Sequence, residues 1–522
     1  MTEKKKENFY NFLIEKGRCQ MKGKCGIGWK NFRIIVPLML LAGCLFMAGC
    51  GENSKEESGG ETARLRVTLV CTQDVPDTEL IQEEANKLLA DQGIEVELIP
   101  IEFGSIQQQM NLLVTGGDDS VDVFSSKYWS NLSALVSNGQ VLALDEYLEN
   151  YPEIAETIGE EYLACGAVGG TTYGLPVITG YGLGTGYVLR KDLADECGIT
   201  VDPDRVYTLD EFTDMMVKIK EAHPELCLIP TSTAGVYGPS NIDPLGDSAN
   251  LLGVLGNYGQ DTTVINYYES EEYYEALEYF KEWKALGLYM DDPLNSTDGL
   301  KSYIKSGKAA GSFSNSFDMV CQAQTDSVST GYELVGIRLD ETLVTTTGVN
   351  GNLWHVSAGC KNPDAAVRFL KELYTNQELA TLLACGIEGR HYQMDGEIAD
   401  YAEGTDATSA AWSLGIAWYW PNQTLTPPWK PQSEDYFDRM LASNDSAMRS
   451  KALGFTFDSS SVTNEMTACI NVVNQYKMAL EVVEADIDET LPKFQQELRD
   501  AGIDVIIQEK QKQLDAWMAQ QE

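Results

Sequence analysis

Between residues 65 and 124 short strand and helix patterns alternate, and this most constrains the fold. Leu65-Arg66-Val67-Thr68-Leu69-Val70 alternates, which predicts a strand. Asp77 is the predicted cap of a helix whose apolar face is Ile81, Ala85, Leu88 and Leu89, and Gly93 ends it. Ile94, Val96 and Leu98 alternate with Glu95 and Glu97, a second strand. A second helix is predicted from about Ser105, burying Met110, Leu113 and Val114 and stopping at Gly116-Gly117. Val121-Asp122-Val123-Phe124 makes a third short strand. This order predicts an α/β fold, a parallel sheet covered by helices.

Ligands of such sheets lie beyond the carboxyl ends of the strands. Tyr128 and Trp129 follow the third strand and are therefore candidates to stack on a ligand. Trp129 has an equal claim to roofing the core beside Leu132 and Leu135, whereas a polar-tipped ring such as Tyr128 suits a half-wet site.

Further upstream, Ile34–Gly51 is apolar and uncharged, and Lys22, Lys24, Lys30 and Arg33 precede it. A basic region, an apolar core and small residues are the parts of an export leader. The cysteine after Ala48-Gly49 resembles the lipobox of bacterial lipoproteins. That resemblance implies removal of residues 1–49, a lipid on Cys50 and a flexible tether over 50–64. Cys44, after Leu41-Ala42-Gly43, is the better lipobox by residue type but would leave Leu45-Phe46-Met47 at the mature end. Met21 as the start would give a leader of ordinary length. An uncleaved anchor is the competing reading, although Ile34–Cys50 is shorter than the ~20 apolar residues a span needs.

The formal charge is −41. Residues 1–49 carry nine Lys/Arg and three acids, a net of +6, so the remainder is near −47. Such a chain repels nucleic acid and anionic headgroups, which excludes both as partners and leaves acyl chains as the membrane attachment. Beyond Cys50 eight cysteines are spread without a C-x-x-C pair, which favours buried thiols over disulfides.

Several strings then resemble one family. Asp122-Val123-Phe124 followed by Asn138–Leu148 resembles the passage leading to G-x-L-x-P/A-L-D-x-Y in extracellular solute-binding proteins of the maltose-binding type. Tyr173–Val177 is similar to their Y-G-L-P strand, and Thr185–Leu193 to the strand opening their second lobe. Tyr207–Phe212 is similar to their T-W-D-E-L helix start, where Thr208 and Glu211 also form a capping box. Gly307–Phe313 is similar to G-K-A-A-M, and Lys361–Leu370 to K-N-P-E-A-A-x-x-F-L. Gly386–Tyr392, Leu453–Asp458 and Ala501–Trp517 resemble the LipO/LplA-like lipoprotein branch over about 385–520.

The resemblance implies a two-lobed periplasmic-binding-protein-like fold of type II. Each lobe is expected to be a mainly parallel sheet flanked by helices, with a C-terminal helical extension packed on the second lobe. The first lobe is expected at 65–178 plus 315–357, the second at 179–314 plus 358–522. Gly180, Gly182, Gly184 and Gly186 suit a hinge at the first crossing, or a flexible loop. They are no dinucleotide fingerprint, since Thr185 stands at the third glycine position.

The implied function is capture of an extracellular carbohydrate, an oligosaccharide, and delivery to the permease of an ABC transporter by a monomer on the outer face of a Gram-positive membrane. Aromatic plates and short polar groups serve such a ligand. The candidates are Tyr128, Trp129, Tyr181, Trp354, Trp418 and Trp420, with Asp74 and Asn315 as hydrogen-bonding groups. Core packing is the competing reading for each aromatic. No metal, cofactor or enzymatic activity is expected: the three histidines form no ligand spacing, and G-x-S-x-G and Walker A strings are absent. The alternatives are a surface-anchored carbohydrate hydrolase, an adhesin, or binding of a peptide or of a uronic acid held by Arg390.

Overall fold

The computed structural model describes residues 62–521, apart from 118–119, 232–238, 248–249, 295–298 and 414–416. The expected leader with Cys44, the expected lipid site Cys50 and all but the end of the expected tether lie outside the described residues. Everything below concerns the unit Gly60–Glu522.

β1 (Ala63–Cys71), α1 (Thr78–Leu89), β2 (Ile94–Glu102), α2 (Ile106–Thr115) and β3 (Val123–Ser125) follow the predicted alternation. β1 runs parallel to β2 from Ala63↔Ile94 to Cys71↔Glu102 and meets β3 at Val67↔Val123. Ile81, Ala85 and Leu89 of α1 and Met110 and Val114 of α2 join the core over this sheet. α3 (Leu132–Ser137) is capped by Asn131, which accepts the Ala134 N–H. β4 (Leu175–Pro176) completes the first pass.

The chain then crosses to a second core. None of the four glycines at the crossing has positive φ; what they provide is close approach. A Cβ at Gly180 would lie 2.2 Å from the Phe317 ring, and one at Gly182 would lie 2.5 Å from the Ala447 Cβ. Gly180→Ala must displace that ring, so it is expected to cost about 1–3 kcal/mol, read as a lower denaturant midpoint.

β5 (Gly184–Arg190) is the centre of the second sheet. α4 (Leu209–Ala222) starts with the predicted Thr208/Glu211 capping box. α5 (Glu271–Ala285), β6 (Gly311–Ser316), α6 (Met319–Thr330) and β7 (Leu334–Arg338) follow. Instead of the expected mainly parallel arrangement, β6 and β7 both pair antiparallel to β5. The β6–α6–β7 crossover straddles β5, and among the described residues around this sheet parallel pairing takes the form of single bridges such as Val206↔Arg338 and Ile229↔Tyr289.

β8 (Leu343–Val344) and α7 (Thr346–Asn350) lead back to the first sheet through β9 (Leu353–Val356). β9 pairs antiparallel with β3 and β4, giving the order β2-β1-β3-β9-β4. α8 (Pro363–Thr375) and α9 (Gln377–Cys385) bury Ala366, Phe369, Leu370, Leu373 and Leu383 in the first core. α10 (Tyr436–Ser446) and β10 (Met448–Arg449) return the chain, β10 pairing parallel with β8. α11 (Thr463–Glu481), α12 (Ile487–Ala501) and α13 (Ile503–Met518) join the second core, as expected of the C-terminal extension.

The expected lobe limits therefore shift. Residues 315–339 stay with the second lobe because β7 is hydrogen-bonded along β5. Residues 363–425 stay with the first because the amphipathic face of α8 is buried in its core. The crossings fall near 177–183, 339–352 and 430–450. Among the described residues no helix is long and apolar enough to cross a membrane.

Candidate functional site

β1 and β2 end in register and β3 a little earlier beside them, so the residues after all three lie at one end of the sheet. Asp74 follows β1 and is exposed. Phe103 follows β2 and is 46% exposed, and Tyr128 follows β3 and is 43% exposed. Tyr128 packs edge-on to Phe103 at 4.6 Å and to Trp418 at 5.6 Å between ring centroids. The three rings form a partly exposed shelf. Tyr128 holds φ 71°, a region non-glycine residues seldom take and one that concentrates at functional sites.

Lys127 stands beside the shelf. Its Nζ lies 5.5 Å from the Tyr128 ring centroid and 5.7 Å from that of Trp418, cation–π range. Burial pushes the ammonium down from its ordinary value. Among the described residues no carboxylate is in salt-bridge range of it. Asn352, buried, ties the parts together: its Oδ1 accepts from Ser125 Oγ at 3.1 Å and its Nδ2 donates to the Trp418 carbonyl at 3.2 Å. Neither Phe103, Lys127 nor Asn352 is among the residues selected from sequence. The signal for Phe103 was its place directly after a strand of the parallel set.

Four expected ligand residues are buried. Trp129 is 7% exposed and donates from Nε1 to the Ser125 carbonyl at 2.8 Å, so it roofs the core. Trp354 is wholly buried and donates to the Tyr419 carbonyl at 3.1 Å, because it lies on β9 in mid-sheet. Trp420 packs edge-to-face on Trp354 at 5.7 Å. Tyr181 is buried against Tyr162 at 4.4 Å in a small cluster with Val344, Val349 and Ala447, at the crossing rather than on an open face. In this conformation these side chains pack in the core or at the crossing. Asn315 lies on β6 opposite Thr185 and is exposed, so it belongs to the second-lobe sheet and not to a crossing.

The loop that carries Asp74 is clamped from the tail motif. Asp77 sits at the predicted N-cap but accepts no helix N–H. Its Oδ2 instead receives Arg390 Nε at 2.6 Å and His391 Nε2 at 2.8 Å. His391 Nδ1 accepts the Ile387 N–H at 2.8 Å, which leaves the proton on Nε2 for Asp77. Arg390 is thus engaged with Asp77. Gln73 Nε2 and Asp77 N donate to the carbonyls of Ala410 and Ala411.

Arg390, and after it His391, hold the Asp77 carboxyl below the usual carboxylate range. A carboxyl depressed on folding contributes stability above its unfolded value of about 3.9 and loses it as pH falls through the lower folded value. Asp77→Asn is therefore expected to lower the melting temperature at neutral pH. That difference should shrink between about pH 5 and about pH 3, as followed by thermal melts.

The eight described cysteines are free thiols, six of them buried. Burial pushes several up, Cys165 and Cys385 to about 12. This suits packing rather than nucleophilic chemistry.

Comparison with known proteins follows from this geometry. Residues 74–380 match the family described as bacterial extracellular solute-binding protein. Residues 451–519 match a domain of unknown function, DUF3502; the LipO/LplA-like likeness of the tail receives no separate support. A carbohydrate ABC transporter substrate-binding protein of Streptococcus pneumoniae is 22% identical over 510 residues, covering 94% of this chain and 99% of its own. The structure of the N-glycan transport solute binding protein NgtS of Streptococcus pneumoniae is similar at a TM-score of 0.77. It is 17% identical and covers 88% of this chain and 100% of that one. The complex of NgtS with Man1GlcNAc gives 0.69 and 17%, covering 87% and 99%.

Proposed function

Since this chain belongs to the bacterial extracellular solute-binding protein family, we propose that it captures an oligosaccharide between its lobes and delivers it, unaltered, to the permease of an ABC importer. The observation that carries this reading is the partly exposed aromatic shelf of Tyr128, Trp418 and Phe103 at the carboxyl ends of β1–β3. Sugar rings present apolar C–H faces and a rim of hydroxyls. Aromatic faces take the first, and the Lys127 ammonium with the Asp74 carboxylate takes the second. The glycan-binding relatives support a carbohydrate as the class of ligand.

Binding alone must bias the hinge. A ligand shifts an open–closed equilibrium only by its differential contacts with the two states. The shelf supplies the first-lobe half of these contacts, and Asn315 on β6 is a second-lobe group free to join on closure. The crossings at 177–183 and 339–352, packed without Cβ atoms at Gly180 and Gly182, form the hinge. Cys50 is the proposed lipid site, which moors the protein as a monomer on the extracellular face of a Gram-positive membrane.

The test is a thermal-shift screen of the mature chain against Man1GlcNAc and against xylo- and manno-oligosaccharides. A ligand at 100 times its dissociation constant adds about 2.7 kcal/mol. A shift with the sugar recovered intact is expected. Cleaved products would replace the binder with a hydrolase, and no shift from any glycan would remove the carbohydrate reading. Tyr128→Ala is expected to weaken the responding ligand about tenfold in titration calorimetry, about 1.4 kcal/mol.

A further inference from the structure

Five non-glycine residues between 245 and 258 hold positive φ: Leu245 at 66°, Asn250 at 49°, Leu251 at 56°, Asn257 at 50° and Tyr258 at 55°. Such backbone persists only where its surroundings over-determine it. Asn250 is held by the Tyr268 hydroxyl and Tyr258 by Asp340, while α13, in the C-terminal domain, holds the residues beside them. Lys510, wholly buried, donates from Nζ to the Gly253 carbonyl at 2.9 Å and the Pro244 carbonyl at 3.3 Å. Its Nζ lies 3.7 Å from Asp247 Oδ2. Its stem occupies the space beside Gly253, where a Cβ would lie 3.1 Å from Lys510 Cδ. Gln511 accepts the Val264 N–H at 2.7 Å and donates to the Thr262 carbonyl at 3.1 Å.

The segment held in this way touches α7, whose following residue borders Lys127. Asn350 Nδ2, at the end of α7, donates to the Gly246 carbonyl at 3.3 Å. The next residue, Gly351, borders Lys127: a Cβ there would lie 3.7 Å from the Lys127 Nζ. A buried ammonium is a poor choice for packing alone, since an apolar residue of similar volume fills space without desolvating a charge. Burial indeed pushes Lys510 down from its ordinary value. Its donors instead satisfy carbonyls that the turning backbone cannot pair in a ladder.

We infer that α13 of the C-terminal domain is the template that shapes the described residues of the second lobe within 243–247 and 250–264, beside α7, and that Lys510 is a positioning residue for ligand capture. This rests on the binding function proposed above. Lys510 does not touch the ligand; it acts through Pro244 and Gly253. The domain of unknown function then has a role in recognition: it holds one jaw of the site.

The test compares full-length wild type, Lys510→Met and Gln511→Ala by hydrogen–deuterium exchange and by affinity for the oligosaccharide with the largest thermal shift, Man1GlcNAc included among the probes. Lys510→Met is expected to raise exchange in 243–264 about tenfold, leave β1 protected, and weaken binding about tenfold at equal folded fraction. Unchanged exchange in 243–264, or faster exchange with wild-type affinity, overturns the inference. If Lys510→Met does not fold, Gln511→Ala is judged by the same two readouts with a smaller expected change. If no glycan binds wild type, the functional reading falls. The exchange arm then still decides whether α13 shapes the segment.

Discussion

Trp418→Ala is expected to weaken oligosaccharide binding about 30-fold, close to 2 kcal/mol, while costing only about 1 kcal/mol of stability. The ring is partly buried against the edge of the first core and contributes to the shelf through Tyr128 and Lys127. Truncation removes one plate on which the sugar stacks and frees Tyr128 to rotate. The backbone stays where it was, because Asn352 holds the Trp418 carbonyl and not its side chain. Calorimetric titration and urea unfolding on the same preparation separate the two effects. A loss of stability as large as the loss of affinity would place Trp418 in the core and empty the shelf of its meaning.

Trp354→Ala is expected to behave in the opposite way and to lower stability by about 3–5 kcal/mol. The indole lies in mid-sheet, wholly buried, against Tyr419 and Trp420. Its removal leaves a cavity and an unpaired Tyr419 carbonyl. Since Tyr419 neighbours Trp418, affinity in the folded fraction should fall as well, though by less than for Trp418→Ala. Trp354→Phe retains most of the packing and should recover more than half of the lost stability. Urea midpoints of the three proteins check the order. Equal stability of wild type and Trp354→Ala would contradict the core assignment.

These two tryptophans show why the fold was more legible in the sequence than the site. Period-two and helical patterns in 65–124 report which face of each element is buried, and β1–β3 with α1 and α2 follow them. The Thr208/Glu211 capping box was local enough to be read directly. Aromatic side chains are not read in this way. Trp354 and Trp418 are the same residue type, and only the pairing of β9 with β3 buries one and leaves the other at the sheet's end. The same non-local pairing explains the shifted lobe limits, since nothing between 315 and 339 announces that β7 returns to β5. Asp77 carried a cap signature, yet its carboxylate serves Arg390 and His391, more than three hundred residues away. Lys127 was passed over because a lone lysine in a loop is ordinarily solvated; only its place between Tyr128 and Trp418 sets it apart.

The glycines at 180–186 teach a related lesson. Their spacing suggested conformational freedom, but none has positive φ, and Gly180 and Gly182 let Phe317 and Ala447 approach the crossing. A crossing packed this tightly suits the proposed closure, in which two rigid lobes would move between discrete states.

Small-angle X-ray scattering of the mature protein, without ligand and saturated with the oligosaccharide that raises its melting temperature most, measures the motion itself. The account predicts a smaller radius of gyration with the sugar bound, reversed when the sugar is dialysed away. An unchanged radius at saturation would show that the lobes do not close on what they bind, and the capture mechanism would have to be given up.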